Sequence, residues 1–543
     1  MEYQPSDKFD FLIYDFETNS LNKKLGQAYQ FAGIKMTSNF ELIEELEEKT
    51  HMLPYIIPGP MALQTTGLSP KDLISKDRND EMVSAKKISN FFTGDKKISS
   101  GNDRKIDKVR IYTGYNTLSF DEELLRTILY RNLLEPYVTS GKTSRRLDLY
   151  PAFQYLNFIK PGIILPAVKM GGKESWRLSE VAEANGFQNA NAHDALADTY
   201  MTAKLLERFA TQSPDVFNEI VSLSNKERVA ELIAGSDDYS IDGSPNFNDE
   251  NYILQFTHFG EPNVVPLAPV AGIKKRAKTL FVDVSKDPDE WIHMSAEEIA
   301  SQVFVGNSPF HVITPTKVPL IFNRKNSSLA KAIEEKDFKN HKELFEERSR
   351  MVHTPEIKDK MNKVMNILEE QTVAKFKNSY FSTEQRLYEG FFENSEKHKA
   401  KKFVQSNDWH KKSQIIPEME DDRMREMANR LLGIFGPQEL QTIESLESVK
   451  KQYEIRLLDL PVEESKETIL TFKVARAELE EMSDLALKKT MSKFIDDLEI
   501  VFRKTVHELG DKIEQMKSIN NEKNIEPIID ERKETEDQLG FLF

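Results

Sequence analysis

Hydrophobic and polar positions in the first part of the chain follow strand-like and helical patterns in turn. Apolar runs rich in aromatic and β-branched residues cover 9–16, 27–36 and 109–115, and each is typical of a strand. Helical spacing of apolar residues follows at 122–134 and 192–209. Strands interleaved with helices favour an α/β layer fold. We therefore expect the chain to begin with an α/β domain.

The pattern changes after this domain. Residues 235–251 are rich in Ser, Asp, Gly and Asn, which indicates a loop or a domain boundary. Short strand-like pieces follow at 252–259, 279–284 and 310–314, separated by Gly and Pro. These pieces predict a small β-rich domain.

The last third of the chain is helical and strongly charged from about residue 357 to 518. Met491, Ile495, Leu498 and Phe502 recur at steps of four, three and four, which is the spacing of one helix face. The predicted organisation is an α/β domain over 1–210, a β-rich domain over 211–350, a helical domain over 351–518 and a polar tail over 519–543.

Composition narrows the chemistry that the chain can carry. Its 543 residues are too many for one core, and it has no cysteine, which excludes disulfides, thiolate nucleophiles and cysteine zinc sites. The N-terminus lacks the pattern of a signal peptide, and no apolar stretch is long enough to span a bilayer. We expect a soluble, cytoplasmic protein with no membrane contact.

The net charge of −15 argues against indiscriminate binding to phosphate backbones. Binding depends on local potential, however, so contact with a polyanion would have to come from local basic clusters.

Two carboxylates stand at the end of the first predicted strand. Asp15 and Glu17 are two residues apart, so they share one face of the strand with Phe11 and Ile13, while the opposite face carries Leu12, Tyr14 and Phe16. Like charges this close repel each other, and a divalent cation would resolve the conflict. The alternative is a pair of exposed carboxylates at the strand end.

Two further motifs carry acidic residues and a histidine. Asp121 follows an apolar strand and opens a predicted helix, where capping of that helix is a competing role. His193 and Asp198 are five residues apart, so His193 is expected on a loop and Asp198 in the first turns of a helix. Asp194 would then cap this helix. A lone histidine in the core is the alternative for His193.

In combination, the three motifs resemble those of the DEDDh exonucleases, which have a ribonuclease-H-like fold. The pattern of that family is D-x-E, then N-x(3)-[FY]-D, then H-x(4)-D, and all five residues are present in order. The histidine separates this group from the DEDDy subclass, which has a tyrosine at that position.

The flanking sequence resembles one bacterial branch of this family, which degrades single-stranded DNA. The similar segments are 114–121, 129–137, 146–149, 176–180, 191–195 and 386–392. In that branch, an SH3-like β domain and a helical C-terminal domain follow the exonuclease domain. The resemblance implies the same order here and a monomeric enzyme of DNA repair that degrades the strand from its 3′ end.

The resemblance also implies the chemistry of the site. Asp15, Glu17, Asp121 and Asp198 would bind two Mg²⁺ ions, for which Mn²⁺ can substitute, because hard oxygen ligands suit both ions. His193 would take a proton from the attacking water, a task that fits its near-neutral pKa. The expected products are 5′-mononucleotides.

Several residues are candidates for contact with the strand. By resemblance, Glu17, Arg126, Tyr137, Arg177 and His193 contact the substrate, although packing is an equal alternative for Tyr137. Single strands are held by basic grooves with aromatic residues interleaved. Three basic clusters fit this description, although each is also compatible with a solvated surface: Lys142, Arg145 and Arg146; Lys274, Lys275, Arg276 and Lys278; and 391–412, with Phe391, Phe392, Phe403 and Trp409 among its lysines.

The chain ends in an apolar peptide after an acidic stretch, and this peptide resembles the one by which bacterial proteins dock on the DNA sliding clamp. The candidate partner-binding residues are Gln538, Leu539, Phe541, Leu542 and Phe543. Packing of the tail on the helical domain is the alternative. By resemblance, the single-strand-binding protein is a second candidate partner.

Three functions are compatible with these motifs. The leading hypothesis is an exonuclease for single-stranded DNA. A second is another DEDDh exonuclease, acting in proofreading or on RNA, because the motifs carry no information on the 2′-hydroxyl. The third is a non-catalytic scaffold that binds nucleic acid. Intact carboxylates speak against the scaffold, because clustering acidic groups is unfavourable unless they have a use.

Overall fold

A computed structural model provides the fold. It describes residues 9–94, 109–141, 143–187, 194–234, 252–258, 262–273, 278–325, 327–334, 341–377, 382–460 and 469–524.

The strands of the described ranges are β1 Phe9–Thr18, β2 Ala28–Thr37, β3 Leu42–Lys49, β4 Val109–Gly114, β5 Ser144–Asp148, β6 Ala167–Val168, β7 Glu174–Ser175, β8 Ile253–Thr257, β9 Asn263–Ile273, β10 Lys278–Asp283, β11 Phe310–Ile313 and β12 Ile321–Asn323. The α-helices are α1 Pro60–Thr66, α2 Glu81–Thr93, α3 Asp121–Arg131, α4 Leu149–Ile159, α5 Leu178–Ala184, α6 Ala195–Gln212, α7 Pro214–Leu223, α8 Lys226–Ala234, α9 Ala296–Gln302, α10 Ser328–Glu334, α11 Lys342–Val352, α12 Pro355–Lys377, α13 Asn394–Gln405, α14 Trp409–Ile415, α15 Asp422–Phe435, α16 Ile443–Glu454, α17 Phe472–Glu481 and α18 Leu485–Asn524.

The first sheet is mixed and has the strand order β3-β2-β1-β4-β5. β1 is its central strand, antiparallel to β2 and parallel to β4. Phe11 and Ile13 are buried in one core cluster, and Leu12, Tyr14 and Phe16 are buried in another. The two-faced strand predicted from alternation is therefore confirmed, and both of its faces are covered.

Strand β3 was not predicted. Its sequence LIEELEEK is largely charged, and most of its side chains are exposed because it forms an edge of the sheet. Charged residues on an edge strand disfavour pairing with other chains. The pairing of Lys35 with Glu44, at 2.5 Å, joins this edge to β2.

The second sheet has the order β11-β10-β9-β8-β12, and its neighbouring strands pair antiparallel. It contacts the first part of the chain through α4, where the ring of Tyr155 stacks on Phe322 with 4.4 Å between centroids. One buried cluster runs through both regions, from Phe11 of β1 to Leu368 of α12.

The C-terminal part is helical, as predicted. The stripe of apolar residues on α18 points inward: Met491, Ile495 and Phe502 are fully buried, and Leu498 packs beside them. These residues contact the 52–73 segment of the first part, including Leu63.

Buried ion pairs lie on both sides of this contact. Arg131 pairs with Glu81 in the first part, and Arg430 pairs with Glu384 in the helical part. Buried charges that lose a partner are strongly destabilising, so each pair favours the local packing that keeps its two members together. None of the helices in the described ranges combines the length and the apolar composition that a bilayer crossing requires.

Candidate metal centre and active site

The site begins at the carboxyl-terminal half of β1. Asp15 and Glu17 lie opposite Ala32 and Gln30 of β2, and the register shifts directly after Glu17. Because alternate residues of a strand share a face, both carboxylates point towards the side of the sheet that α6 covers. The sheet thus places two acidic side chains beneath a helix.

Helix α6 supplies the third carboxylate. The side chain of Asp194 caps the helix by accepting a hydrogen bond from Ala197 N at 3.1 Å, as predicted. A second bond, from Gln30 Nε2 to Asp194 Oδ2 at 3.1 Å, ties the helix start to β2. Asp198 follows in the first turn and is buried. The capping residue therefore fixes the helix so that Asp198 faces β1.

Asp121 is the fourth predicted carboxylate, and its geometry tests the capping alternative. Helix α3 begins at Asp121 itself, the N-cap position is Phe120, and no side chain caps the helix. Instead, Asp121 Oδ1 accepts a hydrogen bond from Phe16 N at 3.2 Å, between Asp15 and Glu17. The capping alternative for Asp121 is wrong, and its carboxylate is turned towards β1.

Asp15, Glu17 and Asp198 each offer an oxygen such that the three atoms lie within 4.8 Å of one another. Burial raises the pKa of Asp15 well above its usual range, and the neighbouring Asp121, Glu17 and Asp198 raise it further. Burial, followed by the charges of Asp198, Asp121 and Asp194, raises the pKa of Glu17 to about 8.

The pKa of Asp121 is likewise raised well above its usual range, first by burial and then by the charge of Asp148, although backbone hydrogen bonds act against this shift. Clustered carboxylates with raised pKa values are the electrostatic signature of a group that a cation would stabilise. The donor set is all oxygen, which suits Mg²⁺ or Mn²⁺. The residues present therefore fit a divalent-metal centre.

Of the other predicted site residues, His193 lies outside the described residues, as do Lys142, the cluster from Lys274 to Arg276, and the terminal peptide from Gln538 to Phe543. The alternatives for His193 and for the tail therefore stay open.

Arg126 and Tyr137 lie together at the contact with the helical part. Arg126 is buried and pairs with Glu122 at 3.2 Å and with Glu123 at 2.9 Å. It also lies 5.6 Å from the ring centre of Tyr137 and donates a hydrogen bond to Tyr388 at 3.2 Å. Tyr137 in turn packs against Phe391, whose side chain is 78% exposed. The placement of Arg126 and Tyr137 is thus compatible with a packing role and with contact to the substrate.

Arg177 is exposed and directly precedes α5. Its neighbour Trp176 accepts a hydrogen bond from Tyr115 through its carbonyl oxygen, at 2.5 Å. This bond connects the start of α5 to the loop that leads to Asp121.

The basic clusters differ from the sequence expectation in one respect. Phe403 is fully buried, and Lys412 is buried with its ammonium 4.9 Å from the ring centre of Phe403 and 4.5 Å from that of Trp409. These rings are packing residues, and of the four aromatic residues of that cluster Phe391 is the most exposed. In the first cluster, Arg146 pairs with Glu122 at 2.6 Å.

Asp148 belongs to the 146–149 segment that resembles the bacterial branch, but it is not among the predicted site residues. It lies at the end of β5 and is buried beside Asp121. Its only local signal is an acidic residue directly before a helix, and the strand that it ends, Ser-Arg-Arg-Leu-Asp, is too polar to stand out as a buried strand.

Comparison with known proteins gives a consistent set of relatives, although no protein-family model matches the chain. Exodeoxyribonuclease I of Haemophilus influenzae is 25% identical over 408 residues, which cover 72% of this chain and 78% of the relative. Exodeoxyribonuclease I of Escherichia coli K12 is 27% identical over 326 residues, covering 59% of this chain and 64% of the relative.

Solved structures agree with these relatives in fold. The structure of E. coli exonuclease I with a dA16 oligonucleotide superposes with a TM-score of 0.71 and 20% identity, covering 90% of this chain and 99% of that one. A moderately thermophilic exonuclease I from Methylocaldum szegediense gives the same TM-score and coverage. In sequence and in fold, the chain is a relative of the exodeoxyribonuclease I proteins.

Proposed function

We propose that this chain is a 3′→5′ exodeoxyribonuclease that hydrolyses single-stranded DNA to 5′-mononucleotides and acts in DNA repair and recombination. The observation that carries the proposal is the convergence of Asp15, Glu17 and Asp198 within 4.8 Å in a relative of exodeoxyribonuclease I. The match to structures that contain an oligonucleotide supports single-stranded DNA as the substrate.

Asp15, Glu17, Asp121 and Asp198 would hold two Mg²⁺ ions, and Mn²⁺ would substitute for them. Such ions supply charge stabilisation and lower the pKa of bound water. The protein's part is to fix the carboxylates. β1 sets the spacing of Asp15 and Glu17, the Phe16 N–H orients Asp121, and the cap at Asp194 orients the helix of Asp198.

His193 would take the proton of the attacking water, and Arg126, Tyr137 and Arg177 would contact the strand together with Glu17 and His193. These roles rest on the family resemblance. The exposed ring of Phe391 beside Tyr137 supports a stacking surface at this point, because bases stack on exposed aromatic rings.

The domain assignments follow the same proposal. The first sheet and its helices would form a ribonuclease-H-like exonuclease domain, and the second sheet would form the SH3-like domain. A solved exonuclease I structure described as SSB/Exonuclease I supports the single-strand-binding protein as a partner of this chain.

Digestion of end-labelled substrates tests the function. With Mg²⁺, we expect mononucleotides from the 3′ end of single-stranded DNA, and little product from duplex DNA or from RNA of the same sequence. Faster digestion of RNA than of DNA would favour the exoribonuclease alternative. Binding of DNA without product in Mg²⁺ or Mn²⁺ would favour the scaffold.

Replacing His193 by Ala is expected to reduce kcat by about 100-fold or more, because general-base catalysis typically contributes that much. The residual rate should rise with pH as hydroxide replaces the lost base, whereas the wild-type profile should level off near the pKa of the histidine. His410→Ala is a suitable control, because His410 is exposed at the start of α14. An unchanged pH profile in the His193 variant would contradict its assignment as the base.

Deleting residues 538–543 is expected to abolish capture of the chain by an immobilised sliding clamp while leaving the nuclease rate unchanged. The physical reason is that Leu539, Phe541, Leu542 and Phe543 are the apolar residues that such a peptide would bury. A variant with these four residues changed to Ser serves as a length-matched control. Equal capture of the wild type and both variants would rule out docking through the tail.

A further inference from the structure

Asp148 occupies the end of β5, next to the strand that leads into the loop of Asp121. It lies opposite Gly114 in the parallel pairing of β4 and β5. Its side chain is buried, and it also caps helix α4 by accepting a hydrogen bond from Tyr150 N at 3.1 Å. One buried carboxylate is therefore placed between a helix start and the neighbouring loop.

The same carboxylate binds that loop through two more backbone groups. Asp148 Oδ1 accepts from Asn116 N at 2.9 Å, and Asp148 Oδ2 accepts from Leu118 N at 3.1 Å. Together with the bond from Tyr150, three N–H groups converge on one side chain. Both of its oxygens are thus engaged by backbone donors.

The loop needs such an anchor because its backbone follows an unusual path. Asn116 has a φ of 62°, in the left-handed region. A Cβ at Gly114 would lie 2.6 Å from the carbonyl oxygen of Tyr14, so the chain passes β1 too closely for any side chain. The loop then ends at Asp121, whose carboxylate meets Phe16 N. Moving Asn116 or Leu118 would therefore move the start of α3 and Asp121 with it.

We propose that Asp148 is a positioning residue that fixes the 116–118 loop and thereby holds Asp121 in place to bind the divalent metal. The proposal rests on the proposed function. Hydrogen bonds that orient a metal ligand typically contribute 10- to 100-fold in metal affinity or activity.

Two substitutions separate the roles of Asp148. In Asp148→Ser, the hydroxyl can still cap α4, since Ser is a preferred N-cap residue, but it cannot reach both loop N–H groups. In Asp148→Asn, the amide keeps one acceptor and turns a donor towards a backbone N–H. Asp408→Asn is the matched control, because Asp408 caps α14 through the same kind of bond, to His410 N at 2.9 Å, far along the chain from the loop.

Mn²⁺ binding to the full chain, followed by electron paramagnetic resonance without DNA, gives a readout that is independent of turnover. We expect at least tenfold weaker Mn²⁺ binding and a 10- to 100-fold lower kcat in both Asp148 variants, with a KM for single-stranded DNA within about twofold of wild type. The control should match wild type. Should Asp148→Asn fail to fold, Asp148→Ser carries the same comparison.

A double-mutant cycle with Asp121→Asn identifies the route of the effect. If Asp148 acts through Asp121, adding Asp148→Ser to Asp121→Asn will weaken Mn²⁺ binding by less than twofold. Wild-type Mn²⁺ affinity in a folded Asp148→Ser, or full additivity in the cycle, would overturn the proposal. A wild-type chain that binds Mn²⁺ but leaves DNA intact would instead reject the proposed function.

Discussion

Replacing Asp15 by Asn is expected to reduce the hydrolysis of single-stranded DNA by at least about 1,000-fold, which corresponds to about 4 kcal/mol of lost transition-state stabilisation. Asp15 is the residue whose pKa is raised by all three other carboxylates of the cluster, so it lies at the centre of their negative potential. An amide is a neutral and much weaker ligand for Mg²⁺, and it would leave the metal without its central anionic oxygen.

The same substitution is expected to stabilise the metal-free protein. The raised pKa of Asp15 means that its charged form is disfavoured in the folded state, so a neutral isostere removes an unfavourable term at neutral pH. Activity and stability would therefore move in opposite directions, as is common where a site is built from groups that repel each other.

Single-turnover digestion and thermal unfolding in EDTA measure these two effects. Asp215→Asn is a control of the same chemistry, because Asp215 forms a surface ion pair with Lys160 at 2.6 Å and lies outside the cluster. The control should change neither quantity appreciably, since exposed pairs contribute little. Activity of Asp15→Asn within tenfold of wild type would contradict the site assignment.

The sequence predicts best those elements in which burial of a face imposes a regular spacing of apolar residues. β1 shows this most clearly, because alternation places Phe11 and Ile13 in one core and Leu12, Tyr14 and Phe16 in the other. The stripe on α18 is a second case. β3 was missed because an edge strand has little buried surface and therefore no apolar period to detect.

The four carboxylates predicted to bind metal differ in how the structure places them. Asp15, Glu17 and Asp198 are brought together by the sheet and α6. Asp121 is not part of that group of three oxygens, although the bond from Phe16 N holds its carboxylate beside β1, so metal binding by Asp121 stays a prediction. Sequence spacing left the choice between cap and ligand open for Asp121, because both roles place an acidic residue at the start of a helix. The position of Phe120 at the N-cap and the bond from Phe16 N exclude the cap.

Contacts between distant parts of the chain could not be predicted from the sequence patterns. The pairing of Lys412 with the rings of Phe403 and Trp409 looks in sequence like a basic cluster with stacking aromatics, yet Phe403 is a core residue. Likewise, nothing local indicates that Asp148 binds the loop at Asn116, because that contact depends on the parallel pairing of β4 with β5. Long-range register determines the contact of Asp148, whereas the burial of Phe403 comes from packing in one cluster with Tyr130 and Leu133 of the first part.

The metal-free protein is expected to lose stability as the pH rises from about 4.5 to about 8, and divalent metal is expected to reverse this loss. The pKa of Glu17 is raised from 4.5 to about 8 in the folded state, chiefly by burial and then by Asp198 and Asp121. Between these values the folded protein keeps a proton that the unfolded chain has released, so rising pH favours unfolding. The stabilising effect of this proton is complete below about pH 4.5, decreases as the pH rises and is lost above about pH 8. Each unit of the shift corresponds to about 1.4 kcal/mol.

Glu17→Gln distinguishes this cause from general effects of pH, since the amide does not titrate. In EDTA, the difference in stability between the variant and wild type should be small near pH 5 and should grow in favour of the variant towards pH 8.

Mg²⁺ at a hundred times its Kd should add about 2.7 kcal/mol to the stability of wild type at pH 8, because it binds the folded state alone. The gain should be much smaller in the variant, which lacks one anionic ligand. Chemical unfolding at pH 5 and pH 8, with and without Mg²⁺, measures all four combinations. Parallel pH profiles for wild type and Glu17→Gln in EDTA would show that the clustered carboxylates do not carry the raised pKa, and the electrostatic argument for a cation at this site would fail with it.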